Sequence, residues 1–124
     1  MNLWLGIAAI NGFLAVAAGA FGAHGLQTRL DPHAMSVFET GARYHMYHAL
    51  AMGLAAFAMR NNTTVPAQTA AAFFLAGIML FSGSLYMLAL TGNRALGIVT
   101  PFGGLAFLAG WAALAYTAFK WNSQ

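Results

Sequence analysis

Three long stretches of this chain, residues 1–23, 61–93 and 95–119, contain no acidic, basic or histidine side chain. A helix needs about 20 apolar residues to cross a hydrocarbon core of ~30 Å, and each stretch is long enough for one. Only 6% of the 124 residues are charged and 60% are hydrophobic, where a soluble domain carries about 25% charge. So little charge cannot cover a surface facing water, and lipid must be the solvent. Period-2 alternation is absent, which argues against a β-barrel.

The apolar runs predict helices over Leu3–Ala23, Ala67–Leu90 and Pro101–Phe119. A fourth run, Tyr44–Met59, would rise only about 24 Å, so its helix must start earlier, near Phe38. That places Arg43 inside the span or reaching back to the interface. The expected fold is all-α: a four-transmembrane-helix bundle with both termini on the same side. It forms a single membrane domain over residues 1–124, with helices at roughly 3–23, 38–59, 67–90 and 101–119. Asp31-Pro32 reads as a helix start, a carboxylate cap followed by proline in the first turn. Asn61-Asn62-Thr63-Thr64 reads as a turn, and Thr91-Gly92-Asn93-Arg94 as a short connection. Nothing basic precedes the first apolar stretch, which is also too long for the apolar core of a signal peptide, so cleavage is not expected.

The net charge of +3 comes from five scattered basic residues. They form no stripe that could follow a phosphate backbone, so no nucleic-acid partner is expected. Lys and Arg are nearly balanced between the two sides, and the positive-inside rule sets no orientation. Small residues four apart, such as Ala8 with Gly12, Ala15 with Gly19, Ala18 with Gly22 and Ala106 with Gly110, suit close helix packing in lipid. They also admit a homo-oligomer. Trp4 and Trp121 at one side, with Tyr44 and Tyr47 at the other, read as interfacial aromatic belts.

Polarity is concentrated elsewhere. All four histidines and both acidic residues lie between His24 and His48, together with Arg29 and Arg43. Glu39 and Arg43 are four apart on one helix face, and an ion pair between them would ease the entry of a carboxylate into lipid. His45 and His48 share a face roughly opposite that pair. At its depth His48 should be neutral and hydrogen-bonded, with Tyr86 or the backbone near Thr100–Gly104 as expected partners. His24 ends the first helix at the same side and could approach His45 or His48. Those three imidazoles are the weak candidates for a metal, but their spacing is no known ligand signature, so neither metal nor cofactor is expected. Cysteine is absent. A Ser84–His48 dyad would lack a third group to orient the base, and the glycines of Gly19–Gly25 follow no strand, as a phosphate loop would require. No enzyme chemistry is expected.

With those residues in hand, Gly19-Ala20-Phe21-Gly22-Ala23-His24-Gly25-Leu26 resembles the first signature of the YgdD/YwdK-like family of small bacterial inner-membrane proteins, a domain of unknown function. Phe38 through Thr40, Tyr44 and His48-Ala49-Leu50-Ala51 resemble its second signature. Phe81-Ser82-Gly83-Ser84-Leu85-Tyr86 resemble its third, and Thr100-Pro101-Phe102-Gly103-Gly104 with Gly110-Trp111 its fourth. The resemblance implies a multi-pass protein of the bacterial plasma membrane and brings no activity with it. Relatives often carry Gln where this chain has His45, which weakens any mechanism that needs both His45 and His48.

The expected site is a polar cluster of His24, Glu39, Arg43, Tyr44, His48, Ser82, Ser84, Tyr86 and Thr100, binding a small molecule, lipid or protein partner. One alternative is a small transporter or proton-coupled carrier, with Glu39 as the membrane acid. The other is a redox subunit holding metal, haem or quinone through His24 and His48.

Overall fold

A computed structural model of the chain describes residues 2–59 and 64–121. The expected turn at Asn61–Thr63, with Arg60, lies outside the described residues. Among the described residues there is no strand and nearly all of the chain is helical, with helices α1 (Leu3–Gly25), α2 (Pro32–Ala58), α3 (Thr64–Gly77), α4 (Gly83–Thr91) and α5 (Thr100–Lys120). A π-helical turn, Ile78–Ser82, joins α3 to α4, and a 3-10 turn, Arg94–Ile98, precedes α5.

Local chemistry sets the ends. Asn2 Oδ1 accepts the Leu5 N–H at 3.0 Å and caps α1. Asp31 Oδ1 accepts the Ala34 N–H at 2.8 Å, with Pro32 in the first turn of α2. An N-cap of this kind satisfies a donor that the helix cannot satisfy itself. α4 stops at Gly92, whose φ of 70° is left-handed, a conformation glycine adopts without steric cost. α2 therefore starts at Pro32 and not near Phe38: the cap at Asp31 nucleates the helix outside the apolar run. Its 27 residues rise about 40 Å, longer than the ~30 Å of a hydrocarbon core.

Three helical stretches are long and apolar enough to cross a membrane: Leu3–Gly25, Thr64–Thr91 and Arg94–Lys120. α2 carries Glu39 and Arg43 within its length, and both are exposed.

α2 and the α3–α4 rod form the middle of the molecule; α1 packs on α2, and α5 on α3 and the π turn. The flanking helices bury narrow stripes: Ala8, Asn11, Ala15 and Gly22 on α1, and Gly103, Phe107, Gly110 and Thr117 on α5. Spacings of three, four and seven residues keep one face inward. α2 buries a much broader face, from Phe38 to Ala58. The main core joins Ala8, Ala51, Met52, Ala55, Ala70, Ala71, Phe74, Ile78 and Phe107. A second cluster, Leu26, Phe38 and Ala89, sits beneath the first connection.

Small residues permit these approaches, as expected, though not all the predicted pairs take part. Gly12 and Gly19 have nothing within 4 Å of a built Cβ. The tightest glycine contacts are between α5 and the rod. A Cβ on Gly103 would run into the Phe81 backbone, 2.7 Å from its Cα, and one on Gly110 would lie 2.6 Å from the Phe74 ring. Dispersion at such close contacts is the main attraction between helices in lipid. The tyrosine belt is a correction. Tyr44 lies mid-helix, its ring 4.9 Å from that of Phe81, because the early start of α2 moves it away from the helix end. Trp121 stacks on Phe57 near the end of α2, at 6.2 Å.

Gly103→Ala is expected to cost about 1–3 kcal/mol, since backbone cannot yield as a side chain can. Thermal unfolding in detergent should show a lowered midpoint for it, and an unchanged or raised midpoint for Gly12→Ala.

Candidate functional site

The two buried histidines of α2 each bridge helices. His45 Nε2 lies 3.0 Å from Asn11 Oδ1 on α1, and its Nδ1 lies 2.9 Å from Tyr86 Oη on α4. Asn11 Nδ2 donates to the Ile7 carbonyl at 2.9 Å, which fixes the amide with its oxygen toward the ring. An amide oxygen only accepts, so Nε2–H donates to Asn11, and Nδ1 accepts from the Tyr86 hydroxyl. His48 carries its proton on the other nitrogen. Trp111 Nε1 can only donate, and it lies 3.1 Å from His48 Nε2. His48 Nδ1–H therefore donates to the Tyr44 carbonyl at 2.8 Å. The Phe107 ring stacks on His48 with centroids 3.5 Å apart and planes within 6°.

Both imidazoles are thus bonded as neutral rings, in opposite tautomers, with both nitrogens committed. One links α1, α2 and α4; the other links α2 to α5. Neither can ligate a metal or haem iron without giving up a hydrogen bond, which for both nitrogens of His45 and for Nε2 of His48 is a contact between helices. The expected partner of His48 needs correcting: Tyr86 bonds His45, and His48 bonds Trp111, which the expectation did not include.

The other candidates separate. Glu39 and Arg43 form no ion pair; both are exposed, and Arg43 donates to Thr40 Oγ1 at 3.2 Å. The exposed Arg43 has a neighbouring hydroxyl on its own helix to bond. His24 is exposed at the end of α1. Among the described residues, no three of His, Asp and Glu gather as a metal site. Ser84 and Thr100 hydroxyls lie 2.6 Å apart and tie α4 to the start of α5. Ser82 Oγ is fully buried and has no hydrogen-bond partner among the described residues. Tyr44 forms one wall of an outward-facing aromatic groove with Phe81, Phe107 and Trp111.

Sequence reasoning missed Asn11 and Trp111 as members of these networks and gave His45 too little weight. The signal for Asn11 was present: it is the lone amide in α1, and an amide among apolar residues in a span must find a partner.

A cavity of about 580 Å³ opens between the first connection and the end of α4, lined by Arg29, Asp31, His33, Val37, Leu88 and Arg94 among others. It occupies the polar end that the sequence marks out, but with residues different from those expected.

Tyr86→Phe should cost about 0.6–1.7 kcal/mol, the range for hydrogen bonds between membrane helices. In a double-mutant cycle, Asn11→Ala and Tyr86→Phe should couple through His45, and Tyr86→Phe and Trp111→Phe should be additive. Unfolding in detergent measures both.

The sequence also matches a family model described as "Protein of unknown function (DUF423)" over residues 18–104. The UPF0382 membrane protein YwdK of Bacillus subtilis is 43% identical over 122 residues, covering 98% of this chain and 99% of its own. A UPF0382 membrane protein of Haemophilus influenzae is 44% identical over 123 residues, covering 98% of each chain. The UPF0382 inner membrane protein YgdD of Escherichia coli is 43% identical over 113 residues, covering 91% of this chain and 86% of its own. No solved structure matches. A family model spanning well over half the chain, and relatives aligned over nearly all of it, make this protein a member of the DUF423 family of membrane proteins of unknown function.

Proposed function

We propose that the chain is a four-span protein of the bacterial plasma membrane that performs no catalysis. It binds a small molecule, lipid or protein partner at the end formed by its first and third connections. The observation that carries this reading is the division of polar groups. The buried histidines are used up in holding helices together, while two exposed arginines, Arg29 and Arg94, whose guanidiniums have no partner among the described residues, line an open cavity at one end. The name of the Escherichia coli relative supports the inner membrane. Trp4 beside Met59 and Thr64 in one cleft, and Trp121 on Phe57, support termini that share a side. The open face around Gly12 and Gly19 leaves room for a second copy.

The protein extracted gently from its native membrane and weighed intact should carry a bound, non-covalent mass near one equivalent. Recovery of bare protein throughout would sink the binding reading. Reporters fused to either terminus should give the same compartment; opposite signals would rule out four spans.

One observation favours a second reading, a small transporter. π-helical turns recur at functional sites, and Ser82 at the end of this one holds a buried hydroxyl without a protein partner. An orphaned hydroxyl in a purely structural protein is a defect costing about 1–3 kcal/mol. On the binding reading Ser82→Ala should therefore be neutral or stabilising by thermal unfolding. A destabilised variant would point to water or an ion held at Ser82, and proton or cation flux in liposomes would then test transport.

A further inference from the structure

We propose that the cavity at the first connection is a site for a phosphate-bearing anion, and that its apolar walls make the bound species an anionic phospholipid. The inference rests on the binding reading above and names the ligand class of that same end.

Charge is the first argument. Arg29 and Arg94 reach the cavity from different connections, and both are exposed. Among the described residues neither guanidinium has a hydrogen bond or ion pair. Asp31 is the sole acid of the lining, and its Oδ1 already accepts the Ala34 N–H. Two guanidiniums against one carboxylate leave an excess of one positive charge among these side chains. That matches the single negative charge of a phosphodiester. A guanidinium fork suits phosphate oxygens in pairs, and basic pockets between membrane helices suit lipid headgroups.

Shape is the second argument. Leu30, Val37, Leu88 and Leu90 line the same space as the arginines. A free phosphate ion has no use for such walls, whereas a lipid presents a charged head and methylenes together. The volume of about 580 Å³ falls within the roughly 300–1,000 Å³ of ligand pockets, room for a headgroup and the start of its chains. The level also fits: the cavity lies where α2 begins and α4 ends, at the depth of headgroups if these helices cross the bilayer.

The test uses the full chain in detergent micelles titrated with phosphatidylglycerol, phosphatidylcholine or inorganic phosphate, read by intact-complex mass spectrometry. Phosphatidylglycerol should bind about tenfold more tightly than phosphatidylcholine, the scale expected of one or two basic groups acting on an anionic lipid. Arg29→Ala with Arg94→Ala should abolish that preference. Both side chains are exposed and, among the described residues, unpartnered, so the fold should survive, and an unchanged circular dichroism spectrum would show it. Arg43→Ala, a cation outside the cavity, should keep the preference. Equal binding of the two lipids, or a preference that survives the double substitution, would overturn the proposal. Displacement of phosphatidylglycerol by millimolar phosphate would overturn the lipid assignment and leave a soluble anion as the ligand. A native bound mass retained by the double variant would defeat this assignment while leaving the binding reading intact.

Discussion

Buried away from water, a polar atom without a partner has nothing to bond, and the loss runs to several kcal/mol. That constraint organises the middle of this molecule. α2 carries two imidazoles into the bundle, and each must find both a donor and an acceptor. Asn11 and Tyr86 answer His45; Trp111 and the Tyr44 carbonyl answer His48. Apart from the Tyr44 carbonyl, which is on α2 itself, the partners come from α1, α4 and α5, so meeting the needs of two rings fixes α2 against its neighbours. The bonds are worth little individually, but an alternative register would leave these groups unpaired.

Dispersion then supplies closeness where hydrogen bonds supply register. α5 approaches the rod near Gly103 and Gly110, where a methyl group would strike Phe81 or Phe74. Alanines at 51, 55, 67, 70 and 71 do the same work between α2 and α3. The flanking helices bury only narrow stripes, so most of their surface meets lipid, and their exposed leucines and phenylalanines need no other explanation.

Much of this was legible beforehand. Apolar runs bounded by charges marked the helices, because lipid leaves a spanning segment few other compositions. Asp31-Pro32 marked the start of α2, yet the apolar run alone placed that start at Phe38, since a helix turn outside an apolar run carries no hydropathy signal. The polar groups were legible as types and illegible as pairs. Depth along the axis brought Tyr86 near both histidines; only rotation about the axis decides between them. That rotation was hidden by the π turn, which no periodicity in the sequence announces. Glu39 and Arg43 satisfied the spacing rule for an ion pair, but exposed charges take whatever partner is nearest, and for Arg43 that is Thr40. The cavity drew on Arg29 and Arg94, residues from two connections that lie far apart in the chain.

A π turn amounts to one residue too many in an α-helix. Each residue advances the helix by about 100°, so the turn at Ile78–Ser82 rotates α4 by roughly that angle from the course set by α3. The face that α3 presents to the main core is therefore not the face that α4 continues. α4 can direct Tyr86 toward His45 and Ser84 toward Thr100, and contribute Leu88 and Leu90 to the cavity, while α3 keeps its alanines against α2. One rod thus carries two independent phases: the half that holds the bundle together and the half that shapes its polar end can change sequence under separate rules.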